Sequence, residues 1–443
     1  MKYSRRKFMK NTTFGSLGIT FSSATFSAKS YSRIIGANDR IRFAIIGLNG
    51  RGKALLNATA SADNTAISCL CDVDNRVFAD SVKIAKDITG ETPNVMDDVR
   101  RVMEQGNVDA VAIAAPDHWH TPMAILAAQA GKHVYVEKPA SHNPQEGEWL
   151  IDVQQKTGKV IQLGTQQRSA PTSIEAIHEI HHGIIGEVYL GKAWYSNRRG
   201  SIGTGQKVPV PDWLNWDLWQ GPAPRRDYQD IWVHYNWHWF WEWGTGEVNN
   251  NGLHELDICR WALDVDYPVK VTSAGGRFHF DDDWEFYDTQ IVSYEFPGNK
   301  MMSWEGKSCN PFQFFDRGRG STIHGTKGTA LIDRNGYCIY DMDGKVIRKA
   351  EEAETSATLN TVGAGGLDDF HMANFLNAIR RGENLNAPIQ QGVISTTICH
   401  LGNIAQKTGR MLNIDAANGK IMGDGAAMQM WGRDYESGWE PAV

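Results

Sequence analysis

The stretch IRFAIIGLNGRGKALLNATA, residues 41–60, decides the fold. Residues 41–46 form a nearly unbroken apolar run, the pattern of a strand buried on both faces. It runs directly into Gly47-Leu48-Asn49-Gly50-Arg51-Gly52 and then into a helix-forming segment. A glycine-rich turn between strand and helix lets backbone approach a pyrophosphate and aims helix N-terminal N–H groups at it. Asn49 stands where the middle glycine of G-x-G-x-x-G would be.

Working outward, a second strand, TAISCLCDVD, reaches Asp72, twenty residues beyond Gly52. That is where such folds place the carboxylate that accepts hydrogen bonds from a ribose 2′-hydroxyl. A carboxylate there repels a 2′-phosphate, so NAD(H) is favoured over NADP(H), with Arg76 close enough in sequence to oppose that preference. Helical patterns at 76–88 and 97–105, a strand at 109–116, the helix TPMAILAAQAG and a strand at 133–139 continue the alternation. The pattern implies a doubly wound parallel sheet with ligands at the strand C-terminal ends. Pro116-Asp117-His118-Trp119-His120 follows one strand end and Glu137-Lys138-Pro139 the next. Proline stiffens the second turn and leaves the Lys138 ammonium at the mouth of the crevice.

The glycine turn, Asp72, the block AAPDHWHTPMAILAAQAGKHVYVEKPAS and the later block NNNGLHELDICRWAL resemble the Gfo/Idh/MocA oxidoreductases over residues 40–412. The resemblance implies an α/β protein: an N-terminal Rossmann domain, then a C-terminal α/β domain with a large open antiparallel sheet through which many members associate as homo-oligomers. It implies NAD-dependent chemistry on a ring hydroxyl of a sugar or cyclitol. Lys138 and His254 then take the proton-transfer and alkoxide-stabilising roles, and Pro116, His120 and Glu137 join Gly47, Asn49, Gly50, Arg51, Gly52 and Asp72 around the cofactor. Arg168 matches a position near substrate. The domain limits expected are 33–160 for the Rossmann domain, 161–412 for the substrate and oligomerisation domain, and 413–443 for a tail.

The residues of the second half carry their own signal. VIQLGTQQR, EVYLGKAWYS, PVKVTSAGGRF, DTQIVSYEF, MMSWEG, STIHGT and GTALID alternate or are β-branched between turn residues, and two amphipathic helices follow near 367–381 and 391–408. The usual pattern before the histidine is D-x-x-x-H, but here Asn250 occupies the acidic position. An amide can bind a hydroxyl and cannot carry a proton, which moves the proton work to His254 with Lys138. Asp257, three residues on, is expected to orient the imidazole. Lys192 and Tyr195 sit on a strand from which side chains enter the cleft.

Tryptophan is over-represented. Of 16 in the chain, eight fall between Trp213 and Trp243, in an insertion-like segment over residues 211–246. Indole faces stack on the C–H surfaces of sugar rings, but bulky aromatics also pack a long loop or line an interface. Most of the eight are expected to pack, with one or two of Trp237, His238 and Trp239 facing a carbohydrate beside Asn250.

Other classes are disfavoured. The 443-residue chain is 41% hydrophobic and has a formal charge of −6; without residues 1–28, which hold five basic and no acidic side chains, it would be −11. Nucleic acid is an unfavoured partner for such a charge. Six cysteines lack metal-ligand spacing, Cys69 and Cys71 read as core, His-Glu-Leu-Asp at 254–257 lacks the second ligand of H-E-x-x-H, and His178, His181 and His182 read as a solvated helix face, so no metal site is expected. No apolar run reaches 18 residues, so no membrane span is expected. Residues 4–10, SRRKFMK, match a twin-arginine export motif. A signal over residues 1–32 and a periplasmic or otherwise exported protein are therefore expected. Two further functions fit the same residues: a glycosidase that keeps NAD tightly bound and oxidises its sugar transiently, and a non-catalytic sugar-binding protein.

Overall fold

A computed structural model describes residues 40–352 and 366–443. The twin-arginine stretch and its 1–32 signal lie outside the described residues. The described residues from 41 onward form one compact unit built around two sheets.

The first sheet is parallel, with strands β1 (Ile41–Ile46), β2 (Thr65–Cys71), β3 (Asn94–Met96), β4 (Ala110–Ile113), β5 (His133–Val136) and β6 (Ile161–Leu163) in the order β3-β2-β1-β4-β5-β6. The chain reverses direction across the sheet between β1 and β4, which opens a crevice at their C-terminal ends. Helices α1 (Gly50–Ser61), α2 (Phe78–Thr89), α3 (Val99–Met103), α4 (Asp117–Gln129) and α5 (Pro144–Thr157) connect these strands. The expected boundary at residue 160 cuts this sheet, because β6, from the segment VIQLGTQQR, pairs in parallel with β5.

The β1–α1 turn is as tight as its glycines imply. Gly47 has φ +80, and a Cβ there would come within 2.5 Å of Ala114 O. A Cβ on Gly52 would lie 1.7 Å from Gly47 O. Asn49 has φ −79 and ψ −177, extended backbone open to any residue, so the missing middle glycine costs the turn nothing.

The second sheet has ten strands in the order β14-β13-β12-β11-β7-β10-β9-β8-β15-β16. They are β7 (Val188–Ser196), β8 (Lys270–Gly276), β9 (Thr289–Phe296), β10 (Lys300–Lys307), β11 (Arg319–Gly325), β12 (Gly328–Asp333), β13 (Gly336–Asp341), β14 (Val346–Glu351), β15 (Leu412–Ile414) and β16 (Ile421–Met422). The sheet is mixed rather than wholly antiparallel, because β7 and β10 run in parallel. After α6 (Pro171–His181) and the short α7 (Trp216–Gln220), helix α8 (Leu253–Leu263) packs its apolar face on β7 and β11 and carries His254 at its first turn.

Helix α9 (Leu367–Arg381) returns to the first sheet, where Met372, Phe375 and Leu376 join the core of Phe43, Leu55 and Tyr135. Helix α10 (Ile389–Thr408) lies against α5 and β8. The tryptophan-rich insert has a core of its own: Trp216, Trp219, Trp232, Trp239, Phe240 and Trp243 pack together with Trp284 and Phe286.

Candidate active site

One cleft of about 1050 Å³ runs from the glycine turn to the first turn of α8. Its nucleotide end is lined by Gly47, Asn49, Gly50, Arg51, Asp72, Pro116, His120 and Glu137, eight of the nine expected cofactor contacts. Gly52 does not reach the cleft; it acts by letting α1 approach Gly47. Asn49 makes no side-chain cap, and a Cβ built on Gly50 meets no atom within 4 Å. The helix therefore offers uncapped N–H groups to an open cradle, the arrangement a pyrophosphate fits.

Asp72 is fixed by N–H donors from Leu48 at 2.6 Å and Asp74 at 2.9 Å. Burial raises its pKa, and those two donors partly offset the rise. Arg76 is not in the cleft: its guanidinium pairs with Asp74 at 2.7 Å and lies 3.3 Å above the Trp213 ring. Arg51 spans Glu137 at 2.7 Å and both oxygens of Asp368, from α9, at 2.6 and 2.7 Å. Against burial, these two carboxylates hold the guanidinium firmly charged. His120 lines the cleft with its ring, while its nitrogens contact Pro139 O at 2.7 Å and Ala115 O at 2.8 Å. It thus ties the end of β4 to the turn that carries Lys138.

At the far end, Lys138 Nζ donates to Asn250 O at 2.7 Å and Asn250 Oδ1 at 3.1 Å. Burial lowers the lysine pKa, against the pull of Glu137 and Asp117. Asn250 Nδ2 points at Glu247 Oε1, 3.4 Å away. Asn250 lies in a π-helical turn, Val248–Gly252, that enters α8; such widened turns are frequent at functional sites. His254 lines the cleft, and among the described residues no hydrogen bond holds its ring. Burial, then the charges of Arg334, Lys138 and Arg319, push its pKa well below the ordinary histidine value, so the imidazole is neutral.

The expectation that Asp257 orients His254 is corrected. Asp257 accepts from Arg168 Nε at 2.6 Å and Nη2 at 2.9 Å, and from Ser395 Oγ at 2.6 Å. This same ion pair removes Arg168 from the substrate candidates, because its guanidinium is committed inside the core and does not line the cleft. Trp239 is also corrected: it is 1% exposed and stacks on Trp284 at 4.0 Å. Trp237 and His238 do line the cleft and stack face to face at 3.6 Å. Tyr195 lines it too, whereas Lys192, three residues earlier on β7, projects from the other face. His178 and His182 stack on each other at the protein surface, and among the described residues no group of three His, Cys, Asp or Glu is placed to hold a metal.

A polar wall that no local motif signals completes the cleft. Arg199 donates to Glu247 Oε2 at 2.8 Å and to the Tyr235 hydroxyl at 2.7 Å. Arg319 donates to Glu255 at 2.6 Å and to Asn251 Oδ1 at 3.1 Å. Burial opposes the Glu247 charge, but Arg199, Asn251 and Ser308 bring its pKa below the usual value. These cations are internally neutralised, which suits uncharged hydroxyls better than an anion.

A dinucleotide cradle continuous with a lysine, a neutral histidine and an aromatic platform defines a nucleotide-dependent oxidoreductase fold. Family models agree: "Oxidoreductase family, NAD-binding Rossmann fold" matches residues 41–165, and "Oxidoreductase family, C-terminal alpha/beta domain" matches 188–330. Together they span more than half of the chain, which belongs to the Gfo/Idh/MocA oxidoreductase family.

A glycosyl hydrolase family 109 protein of Saccharopolyspora erythraea is 29% identical over 209 residues, 44% of this chain and 45% of the relative, so the match spans just under half of that protein. Another from Shewanella baltica is 24% identical over 437 residues, 88% of this chain and 90% of the relative. Among solved structures, the WlbA dehydrogenase from Bordetella pertussis, in complex with NADH and UDP-GlcNAcA, has a TM-score of 0.62 at 19% identity, covering 85% of this chain and 99% of that one. That likeness is one of fold.

Proposed function

We propose that the protein is an exported NAD-dependent oxidoreductase that transfers hydride between a ring hydroxyl of a sugar or glycoside and nicotinamide. The observation that carries this reading is the junction of Lys138, held by Asn250, with the nucleotide crevice on one side and His254, Trp237 and His238 on the other. Bound nicotinamide supplies the two-electron acceptor for the carbinol hydrogen. His254, neutral and free of hydrogen bonds to described residues, takes the hydroxyl proton. The Lys138 ammonium, fixed by two Asn250 oxygens, stabilises the developing alkoxide. Trp237 offers a flat apolar surface to the sugar ring.

NAD is favoured over NADP because Asp72 faces the cleft while Arg76 is consumed by Asp74 and Trp213. The motif at residues 4–10 supports export, and the broad second sheet supports a homo-oligomer. A second reading, supported by the family 109 relatives, is a glycosidase using the same redox step transiently. A glycoside panel scored for both products separates them. Keto-sugar with stoichiometric reduced cofactor supports dehydrogenation, and aglycone release without net NADH supports hydrolysis. Failure to bind any nicotinamide nucleotide, or full turnover by Lys138→Ala, overturns both, and any multiple-turnover reaction excludes a purely sugar-binding role.

A further inference from the structure

Among the described residues, six that are not glycine have φ in the left-handed region. Four are Asn or Asp, whose short polar side chains tolerate it. The other two are aromatic, Tyr235 at φ +83 and Phe315 at φ +51, and for bulky residues such angles are outliers. Strained backbone of this kind gathers at ligand clamps. Both outliers also leave their rings in solvent, Tyr235 being 48% and Phe315 62% exposed.

Both residues adjoin the cleft. Tyr235 lines it next to the Trp237–His238 stack, with its ring 4.7 Å from that of His238. Phe315 directly precedes Asp316 and Arg317, which line it from the loop between β10 and β11. The two tips share one support, the continuation of β7 through residue 199. Ser196 N donates to Gly318 O at 2.6 Å, Arg199 N to Ser308 O at 2.9 Å, and the Arg199 guanidinium to the Tyr235 hydroxyl at 2.7 Å. The loop itself is stiff. Arg317 N donates to Phe314 O at 2.9 Å and Arg317 Nη1 to Phe315 O at 2.8 Å, while Lys307 Nζ lies 4.2 Å from the centre of the Phe314 ring. Trp194 backs the Phe315 ring, with centroids 5.8 Å apart, and most of that ring still faces water.

We propose that Tyr235, Phe315 and Asp316 form an outer subsite for a second sugar ring, so that the substrate is a glycoside of at least two sugars and not a free monosaccharide. The subsite presupposes the sugar-oxidoreductase reading and narrows its substrate class. Trp237 and His254 take the ring that reacts, and the ring joined to it through the glycosidic oxygen extends to the two aromatic tips. There its C–H faces rest on the phenyl and phenol surfaces, and the exposed Asp316 carboxylate, an acceptor only, takes hydrogen bonds from hydroxyls at the ring edge. Rings already fixed by backbone and by Trp194 lose little freedom when the sugar arrives. A sugar fits this surface better than a second copy of the chain does. Asp316 and the Arg199–Glu247 pair meet hydroxyls on a sugar, whereas an apolar contact between copies strips their water and returns nothing.

The test compares substrates of two lengths on the full chain loaded with NAD. The probes are glucose, galactose, mannose, N-acetylglucosamine and N-acetylgalactosamine, each as its methyl glycoside and as its α- and β-linked disaccharide with glucose. Turnover is scored as keto-sugar or released glucose by mass spectrometry, and binding by saturation-transfer NMR. For the sugar that is processed, kcat/KM for the disaccharide is expected to exceed that for the methyl glycoside about tenfold or more. Phe315→Asn, which suits left-handed backbone, is expected to bring that ratio close to one while the melting temperature holds or rises. Phe315→Trp should preserve the ratio. Asp316→Gly, at an exposed position that also suits glycine, should lower it and decides the matter if Phe315→Asn does not fold. Equal kcat/KM for the two lengths in the wild type, or an unchanged ratio in Phe315→Asn and Asp316→Gly, overturns the subsite and leaves the oxidoreductase reading standing. An unchanged ratio together with a smaller species in sedimentation assigns the tip to contact between copies, which also overturns it. No binding of any of these sugars overturns both.

Discussion

Replacing Asn250 by aspartate tests how the site holds Lys138. The amide oxygen lies 3.1 Å from Lys138 Nζ, and the amide nitrogen lies 3.4 Å from Glu247 Oε1. At an effective dielectric of about 20, a carboxylate in that place is attracted to the ammonium by about 5 kcal/mol and repelled by Glu247 by nearly as much. The two nearly cancel, and because Arg199 already neutralises Glu247, the Lys138 ammonium is the unbalanced neighbour of the new carboxyl. Its whole attraction then acts on Lys138. If screening leaves only a quarter of it, the lysine pKa rises by about one unit.

The sign is definite. Burial lowers the Lys138 pKa, with Arg334 and Arg319 pushing the same way, while Glu137 and Asp117 pull upward; His254 and His238 are its neutral neighbours. An added negative charge moves it up. Where alkoxide stabilisation needs the ammonium, activity falls as pH rises through the lysine pKa, so the alkaline limb of kcat/KM should shift upward in Asn250→Asp. A second readout needs no turnover: pyridoxal phosphate forms a borohydride-trappable adduct only with the free amine, and peptide mass spectrometry gives its yield at Lys138 against pH. A limb or adduct curve that stays in place, or moves to lower pH, refutes the assignment of Asn250 as the residue that positions Lys138.

Three further outcomes follow from distances already given. Gly50→Ala should keep its melting temperature and lose nucleotide affinity at least about tenfold because its methyl fills the anion cradle, whereas Gly52→Ala should lose both, since its Cβ would overlap Gly47 O; normal NAD titration of either contradicts the cradle. Trp237→Ala should raise KM for a glycoside substrate about tenfold with little change in stability, while Trp239→Ala should cost about 3–5 kcal/mol in urea unfolding; the reverse pattern would exchange their roles. Asp257→Ala strands a buried guanidinium and should cost about 3–5 kcal/mol, visible in unfolding before it is visible in kcat. Arg168 holds Asp257 below the ordinary carboxylate pKa against burial, so its share of stability is present at neutral pH and lost only as pH falls through that lowered value.

The first sheet was legible because its signal is local. An apolar run, a glycine turn and a carboxylate twenty residues on are read without knowing any distant contact. Lys138 and His254 were legible from their surrounding blocks. The partners of those residues were not, since Lys138 meets Asn250 across 112 residues and Arg168 meets Asp257 across 89. Nothing local states which acid a buried arginine will find. The aromatic insert shows the same limit: Trp237 and Trp239 share one short helical turn, and only the position of Trp284 decides which indole is buried. The departure at Asn49 leaves the turn's shape intact, because its backbone angle does not require glycine.

The return of α9 to the first sheet has a consequence for synthesis and for engineering. Phe375 meets the ring edges of Phe43 and Tyr135 at 6.3 and 6.0 Å, and Asp368 holds the Arg51 guanidinium beside the glycine turn. The nucleotide layer is therefore unfinished until the ribosome has passed residue 381, long after its strands have been made. A fragment cut after residue 165 leaves those rings wet and Arg51 with one of its two acids. Any chimera that borrows this nucleotide layer must bring residues 366–381 with it, because the ends of the layer are separated in the gene and joined only in space.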